Sequence, residues 1–249
     1  MADRVLVEIL VAAPIDVVWK ALREPAEVIR WFGWEYPNLL ADTEGMWADT
    51  KEDAAKRTLY SDGQPDRFTV EAVGNQTIVR VIRSAPAEDA GWSGIYDDVF
   101  EGWTTFFQQL KFALERHRGQ DRATLFLNGR AKDAATSHPI DAMGLAPLWV
   151  VPAGERYRVQ AKTGDTLEGT IYFRSPYQLG LTVDGVGDGL LILAIRPRTE
   201  KSPHGGGTVL LTTYGMKADA LAALRKRWSE WWKQTYEVIE IQPAEGRTT

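Results

Sequence analysis

The stretch VEILVAAPIDVVWKALREPAEVIRWFG, residues 7–33, decides the fold expected for the first half of the chain. Apolar and β-branched residues predict a strand over 4–14, which stops at Pro14. Proline suits the first turn of a helix, and apolar residues then recur at helical spacing as far as Leu22. A second short helix begins at Pro25, and Gly33 can end it. The stretch therefore predicts a strand followed by two short helices.

The rest of the first half predicts several strands and one long helix. Strand-like segments, broken by turn residues, lie at 34–41, 57–61, 67–73 and 76–83. Residues 96–119 then form the best helix pattern of this half. Its apolar residues follow the spacing i, i+3, i+4, i+7 and i+11 at Trp103, Phe106, Phe107, Leu110 and Leu114.

The second half repeats the closing part of this order. Strand-like segments lie at 124–130, 155–161, 166–174, 177–184, 189–196 and 207–214. A final helix is predicted over roughly 217–240, with Tyr236 and Ile239 among its apolar positions. Trp103 and Trp228 each lie in a long helix that comes directly after a hairpin of β-branched strands. This matched order predicts a diverged internal duplication.

The opening stretch and EGWTTFFQQL (101–110) together resemble a known family. The pattern is similar to the SRPBCC, or START-like, superfamily, and within it to the activator-of-heat-shock-protein-ATPase homologues. The matching positions, within residues 5–116, are Ala13, Pro14, Val18, Trp19, Ala21, Leu22, Pro25, Trp31, Phe32, Gly33, Gly102 and Trp103. The resemblance implies the helix-grip fold, in which an antiparallel sheet curls around a long C-terminal helix and two short helices close one end.

The expected fold class is α+β, with two helix-grip units in tandem. The first is a START-like domain over residues 1–119, and the second is a degenerate domain over residues 120–249. The start of the second half differs from the family pattern. Residues 134–149 have no counterpart of the adjacent aromatics Trp31 and Phe32, and they are rich in helix-breaking residues. An unrelated appendage is the alternative for this half.

Composition excludes several classes of protein. The chain has no cysteine, which excludes disulfides and thiolate metal sites and suits the reducing cytoplasm, where we expect the protein. No segment approaches the roughly 20 apolar residues that span a bilayer, and the N-terminus is too short and too acidic for a secretory signal. The net charge of −5 argues against nucleic acid as the main partner. The oligomeric state stays open.

No catalytic or metal-binding motif is present in the sequence. None of His117, His138 and His204 has a second histidine at metal-ligand spacing or lies in a Ser/His/Asp motif. The glycine-rich segment SPHGGGT (202–208) joins two predicted strands and lacks the ending of a phosphate-binding loop. We therefore predict no catalytic residues, no metal and no cofactor.

Three tryptophans near the C-terminus lie in RKRWSEWWKQTYEVI (225–239). Three indoles exposed together would show about 450–750 Å² of apolar surface, more than an ordinary soluble monomer exposes in one patch. Helical spacing favours one buried stripe, in the core or in a pocket wall. A partner-binding or membrane surface is the alternative.

The leading functional hypothesis is a small apolar or amphipathic ligand held, without turnover, between the sheet and the long helix. The candidate ligand-binding residues are Trp31, Phe32, Trp47, Phe68, Trp103, Phe107, Leu110, Tyr172, Phe173, Trp228 and Trp231. Simple core packing remains open for each of them. Two other classes also stay open: an interaction module similar to a co-chaperone, which the family name suggests, and an enzyme similar to polyketide aromatase/cyclases. The enzyme would need polar groups inside the cavity, where the assigned positions are nearly all apolar.

Overall fold

A computed structural model of the protein describes residues 3–48, 50–61, 66–83, 92–136 and 138–240. The chain divides into two units, Met1–Gln120 and Asp121–Thr249, each with its own antiparallel sheet. None of the helices in the described residues is long and apolar enough to cross a membrane.

The described residues of the first unit form five strands and four helices. In chain order they are β1 (Arg4–Val11), α1 (Ile15–Arg23), α2 (Pro25–Val28), α3 (Leu39–Ala48), β2 (Thr50–Asp53), β3 (Thr58–Ser61), β4 (Asp66–Val73), β5 (Gln76–Arg83) and α4 (Trp92–Arg116). The strand order in the sheet is β1-β5-β4-β3-β2. Helix α4 packs on this sheet, and its Phe107 and Leu110 are fully buried there with Val79 and Val81 of β5.

In its described residues, the second unit contains seven strands and two α-helices, of which the long one lies near its end. In chain order they are β6 (Arg122–Ala131), α5 (Pro139–Ala142), β7 (Arg156–Gln160), β8 (Thr166–Arg174), β9 (Gln178–Val183), β10 (Gly189–Arg196), β11 (Gly206–Tyr214), α6 (Ala218–Thr235) and β12 (Tyr236–Val238). Short 3-10 helices flank α5 at Ala134–Thr136 and Ala146–Val150. Helix α6 packs on the sheet through Leu224, Trp228 and Trp232.

The two sheets share one topology. The second sheet has the order β12-β6-β11-β10-β9-β8-β7, so its central run β6-β11-β10-β9-β8 matches β1-β5-β4-β3-β2 of the first. In each unit the first strand pairs with the strand that precedes the long helix. The second unit therefore carries the same arrangement with one extra strand at each edge. The α+β class, with two antiparallel sheets that each hold a long helix, is confirmed.

The strand predicted at 34–41 is wrong. The chain turns after Trp34, and α3 begins at Leu39 with the Asp42 N–H donating to the Asn38 carbonyl over 2.9 Å. Pro37 has no N–H to donate to a sheet ladder, which argues against a central strand here. Leu39 and Thr43 are buried one helical turn apart, so tertiary packing favours the helix.

The final helix is shorter than the predicted 217–240. It ends at Thr235, and Tyr236 then pairs with Ala131 of β6 as the first residue of β12. The Tyr236 ring stacks on Trp232, with ring centroids 3.8 Å apart. Tyr236 and Ile239 fit helical spacing in the sequence, but the strand pairing with β6 decides their conformation.

Gly129 of β6 makes this pairing possible. An ideal Cβ at Gly129 would lie 2.6 Å from the Glu237 carbonyl oxygen and 2.9 Å from Tyr236 Cβ. We expect Gly129→Ala to lower the free energy of unfolding of the second unit by about 1–3 kcal/mol, because the added methyl group overpacks this contact. The matched control is Gly185→Ala, where no atom lies within 4 Å of an ideal Cβ. Urea unfolding should place the control within about 0.5 kcal/mol of the parent protein; equal losses in both variants would contradict the prediction.

Candidate functional site

Aromatic side chains from three helical or turn segments and one strand meet in the first unit. We call these seven residues the aromatic cluster: Trp31, Phe32, Trp47, Phe68, Trp103, Phe106 and Phe107. Phe32 is central, with ring centroids 5.6 Å from Trp47, 6.2 Å from Trp103 and 4.7 Å from Phe106. Phe68 of β4 lies 4.9 Å from Trp103, edge to face. The structure therefore brings together all the first-half candidates, with Leu110 packed in the same core.

Backbone carbonyls at the end of α1 orient two members of the cluster. The Trp31 indole donates to the Ala21 carbonyl over 2.9 Å, and the Trp47 indole donates to the Leu22 carbonyl over 2.7 Å. The last carbonyls of a helix lack partners within the helix, so these bonds satisfy α1 and fix both rings. The buried side chain of Gln109 on α4 donates to the Gly33 carbonyl over 3.1 Å. This bond connects the turn that carries Trp31 and Phe32 to the long helix.

The aromatic cluster has a buried side and an accessible side. Trp31, Phe68 and Phe107 are buried, together with Leu110. Phe32, Trp47, Trp103 and Phe106 are only partly buried. Core packing accounts for the first group, whereas the second group keeps apolar ring surface within reach of a ligand.

An ion pair between a buried aspartate and a partly buried arginine lies beside the accessible rings. Arg83 of β5 donates from Nε to Asp66 Oδ1 over 2.6 Å and from Nη2 to Asp66 Oδ2 over 2.7 Å. The two side chains are 14% and 9% exposed. The Trp103 indole also points at Asp66, with Nε1 3.4 Å from Oδ2. The hydrogen bonds to Asp66 raise the pKa of the Arg83 guanidinium above its ordinary value, so Arg83 is a permanent cation and donor.

Sequence reasoning missed this ion pair, although a signal for it exists. The sequence pattern places Asp66 among the turn residues before the strand predicted at 67–73, and Arg83 at the end of the strand predicted at 76–83. In the β4–β5 hairpin, Val73 pairs with Gln76, and the antiparallel register continues without a break to Asp66 opposite Arg83. Asp66 also shares a face with Phe68, because alternate residues of a strand point to the same side. Hairpin register thus predicts an opposite-charge pair on the helix-facing side of the sheet.

The second-half candidates do not form one group. Trp228 is fully buried in the core of the second unit, as helical spacing predicts, and Trp231 packs at its edge. Phe173 instead covers Gly180, where an ideal Cβ would lie 2.1 Å from its ring. The neighbours Leu179 and Leu181 point to the Trp228 side, so Phe173 lies on the opposite face of the sheet. Tyr172 contacts Phe173 edge-on, with centroids 6.3 Å apart.

A carboxylate in the second unit accepts several hydrogen bonds near Trp228. Asp165, in the β7–β8 turn, accepts from the Trp228 indole over 2.7 Å and from Thr163 Oγ1 over 2.8 Å. It also accepts from the Arg227 guanidinium. These contacts hold the hairpin turn to helix α6.

Two buried phenols with raised pKa values lie outside the aromatic cluster. Burial raises the pKa of the Tyr214 phenol to about 12 and also raises the pKa of Tyr157, which keeps both phenols protonated at neutral pH. Both tyrosines belong to the second unit. Across the described part of the chain, no three His, Asp or Glu side chains are placed to hold a metal ion.

No protein-family model matches the chain, and no curated protein matches it. Among solved structures, the di-domain ARO/CYC BexL from the BE-7585A biosynthetic pathway aligns over 98% of this chain and 100% of its own, with 16% identity and a TM-score of 0.37. The Aha1 dimer from Colwellia psychrerythraea aligns over 48% of this chain and 100% of its own, with 18% identity and a TM-score of 0.34.

A third structure, the di-domain ARO/CYC StfQ from the steffimycin biosynthetic pathway, aligns over 94% of this chain and 92% of its own. Its identity is 13% and its TM-score 0.33. Structural similarity at this level does not indicate an activity. The topology of the chain itself defines its class, an α+β protein of two helix-grip units in tandem.

Proposed function

We propose that the first unit binds a small apolar molecule at the accessible side of the aromatic cluster, without chemical turnover. The observation that supports this most directly is the convergence of four partly buried rings, Phe32, Trp47, Trp103 and Phe106, from three helical or turn segments. Aromatic rings offer large apolar contact area and favour edge-on or offset contacts with a further ring. A flat apolar ligand fits such surroundings.

The rings are also held in place before any ligand arrives. The indole of Trp47 is fixed by its bond to the Leu22 carbonyl. Phe32 follows Trp31, whose indole is fixed in the same way by the Ala21 carbonyl. A site that is ordered in advance loses little conformational entropy on binding, which favours affinity.

An enzymatic function is the second candidate, and the Asp66–Arg83 pair is the observation that favours it. Convergent polar groups next to an apolar site are what such an enzyme needs. However, both oxygens of Asp66 already accept hydrogen bonds from the Arg83 guanidinium, so the carboxylate is engaged in an ion pair. Arg83 is a donor only. The pair therefore suits recognition better than general base catalysis.

Titration with N-phenyl-1-naphthylamine, an uncharged fluorophore, tests the proposal. We expect saturable enhancement of its emission together with a rise in the melting temperature. At a ligand concentration of about 100 times the dissociation constant, binding adds about 2.7 kcal/mol of stability. Fatty acids and sterols extend the panel. If no compound changes either signal, the binding proposal is wrong, and an interaction module becomes the better hypothesis.

Substitution of the central ring gives a sharper prediction. We expect Phe32→Leu to weaken binding of the fluorophore by about 3–10-fold, because aromatic contacts contribute about 0.5–1.5 kcal/mol beyond area burial. The matched control is Phe112→Leu, which makes the same change on α4. Phe112 contacts His117 and Arg116 instead of the aromatic cluster. Equal affinities of the two variants, measured by calorimetry, would place the ligand elsewhere.

A further inference from the structure

The edge of the aromatic cluster carries three polar groups that the apolar-ligand proposal does not use. Asp66 engages Nε and Nη2 of Arg83, which leaves the other terminal nitrogen, Nη1, outside the pair. The Trp103 indole N–H lies 3.4 Å from Asp66 Oδ2. Hydrogen bonds of this type are usually about 2.9–3.0 Å long, so this donor is only weakly engaged. One weak donor, one cationic donor and one carboxylate acceptor thus lie together beside accessible rings.

The second unit contains another contact among an indole, a carboxylate and a guanidinium. There the long-helix indole is fully buried, and Trp228 Nε1 lies 2.7 Å from Asp165 Oδ2, while Arg227 binds the other carboxylate oxygen. Asp165 precedes β8, whereas Asp66 begins β4, so the two aspartates are not equivalent in the shared topology. In these fully buried surroundings the contact between the Trp228 indole and the Asp165 carboxylate is short. In the first unit Trp103 is only partly buried, and the contact stays long.

We propose that Asp66, Arg83 and Trp103 select a ligand with a neutral hydroxyl group at one end of its apolar body. This inference rests on the proposed function. A hydroxyl group both donates and accepts. Its O–H can donate to Asp66 Oδ2, and its oxygen can accept from the Trp103 indole or from Arg83. The hydroxyl therefore satisfies both kinds of group at once.

The charges of Asp66 and Arg83 disfavour binding of a carboxylate ligand. Asp66 already neutralises Arg83, so the pair offers no net positive charge to an incoming anion. A ligand carboxylate would lose its hydration and meet Asp66 as a like charge at close range. A plain hydrocarbon avoids this repulsion, but it covers polar groups without bonding to them. The expected order of affinity is hydroxyl, then hydrocarbon, then carboxylate.

The ion pair itself favours a role in recognition. A buried salt bridge adds little stability compared with well-packed apolar residues, because both ions must lose their hydration. An apolar pair at Asp66 and Arg83 would serve the fold as well. A polar pair at the edge of an accessible aromatic cluster therefore fits a role in selecting what binds there.

Naphthalene and two of its derivatives, 2-naphthol and 2-naphthoate, test the selection. Their affinities for the full chain are measured by calorimetry at neutral pH. We expect 2-naphthol to bind about tenfold more tightly than naphthalene, since hydrogen bonds to charged groups are stronger than neutral ones. We expect 2-naphthoate to bind more weakly than naphthalene. If naphthalene binds but 2-naphthol gains nothing, or if 2-naphthoate binds best, the selection is wrong while the binding function stands. If none of the three binds while N-phenyl-1-naphthylamine does, the selection is wrong and the binding function stands; if that panel fails as well, the proposed function fails too.

Two variants assign the effect to these residues. Trp103→Phe keeps an aromatic ring and removes the N–H, so the preference for 2-naphthol over naphthalene should fall to about threefold. Asp66→Leu/Arg83→Met removes both charges together, which avoids an unpaired buried ion, and should abolish the preference. The matched control, Trp19→Phe, removes an indole N–H elsewhere in the first unit and should keep the full preference. An unchanged preference in the double variant would overturn the assignment.

Discussion

Replacing Asp66 with alanine is expected to lower the free energy of unfolding of the first unit by about 3–5 kcal/mol, the usual loss when one partner of a buried ion pair is removed. The substitution leaves the Arg83 guanidinium, whose side chain is 14% exposed, without its counter-charge. The weak bond from the Trp103 indole is lost as well. Urea unfolding followed by circular dichroism measures the loss, and hydrogen exchange in β4 and β5 locates it.

The double variant Asp66→Leu/Arg83→Met is the matched control for this prediction. Removing both ions leaves no uncompensated charge, and apolar residues of similar volume pack at the same place. We expect its stability to equal or exceed that of the parent protein. A loss under about 1 kcal/mol in Asp66→Ala would mean that water solvates Arg83 freely. That result would remove the basis for a polar recognition site beside the aromatic cluster.

The long elements of this fold could be predicted because their patterns extend over many residues. The apolar spacing from Trp103 to Leu114 specifies a helix face that no strand could present on one side. The short elements depend on tertiary partners instead. Strand β12 has three residues, and it forms because Gly129 lets the chain approach β6. Nothing local to Tyr236 distinguishes it from another turn of helix, so its strand could not be predicted.

The apolar part of the candidate site could be predicted from residue patterns alone, whereas its polar part could be predicted only from the hairpin register. The adjacent aromatics Trp31 and Phe32 and the apolar helix face from Trp103 to Leu114 can be recognised in the sequence without knowing the sheet. Asp66 lies in a segment of turn-forming residues, so composition alone assigns it to a loop. Only the hairpin register places it opposite Arg83 and on the same face as Phe68.

Replacing Trp228 with alanine is expected to cost the second unit about 3–5 kcal/mol, near the upper end of that range. The side chain is fully buried in the core between α6 and the sheet. Its removal leaves a large cavity, and Asp165 loses the indole donor at 2.7 Å. Because Asp165 lies in the β7–β8 turn, the hairpin loses part of its attachment to α6. Hydrogen exchange should therefore rise in β7 and β8 as well as in the helix.

Trp231 on the same helix provides the comparison that separates burial from residue type. It packs at the edge of the same core and is only partly buried, so Trp231→Ala opens less of a cavity. We expect it to cost less than half as much as Trp228→Ala in urea unfolding. Trp228→Phe isolates the hydrogen bond, because phenylalanine fills most of the space but cannot donate to Asp165. If Trp228→Ala and Trp231→Ala cost the same, the helix face that contacts the sheet differs from the one described.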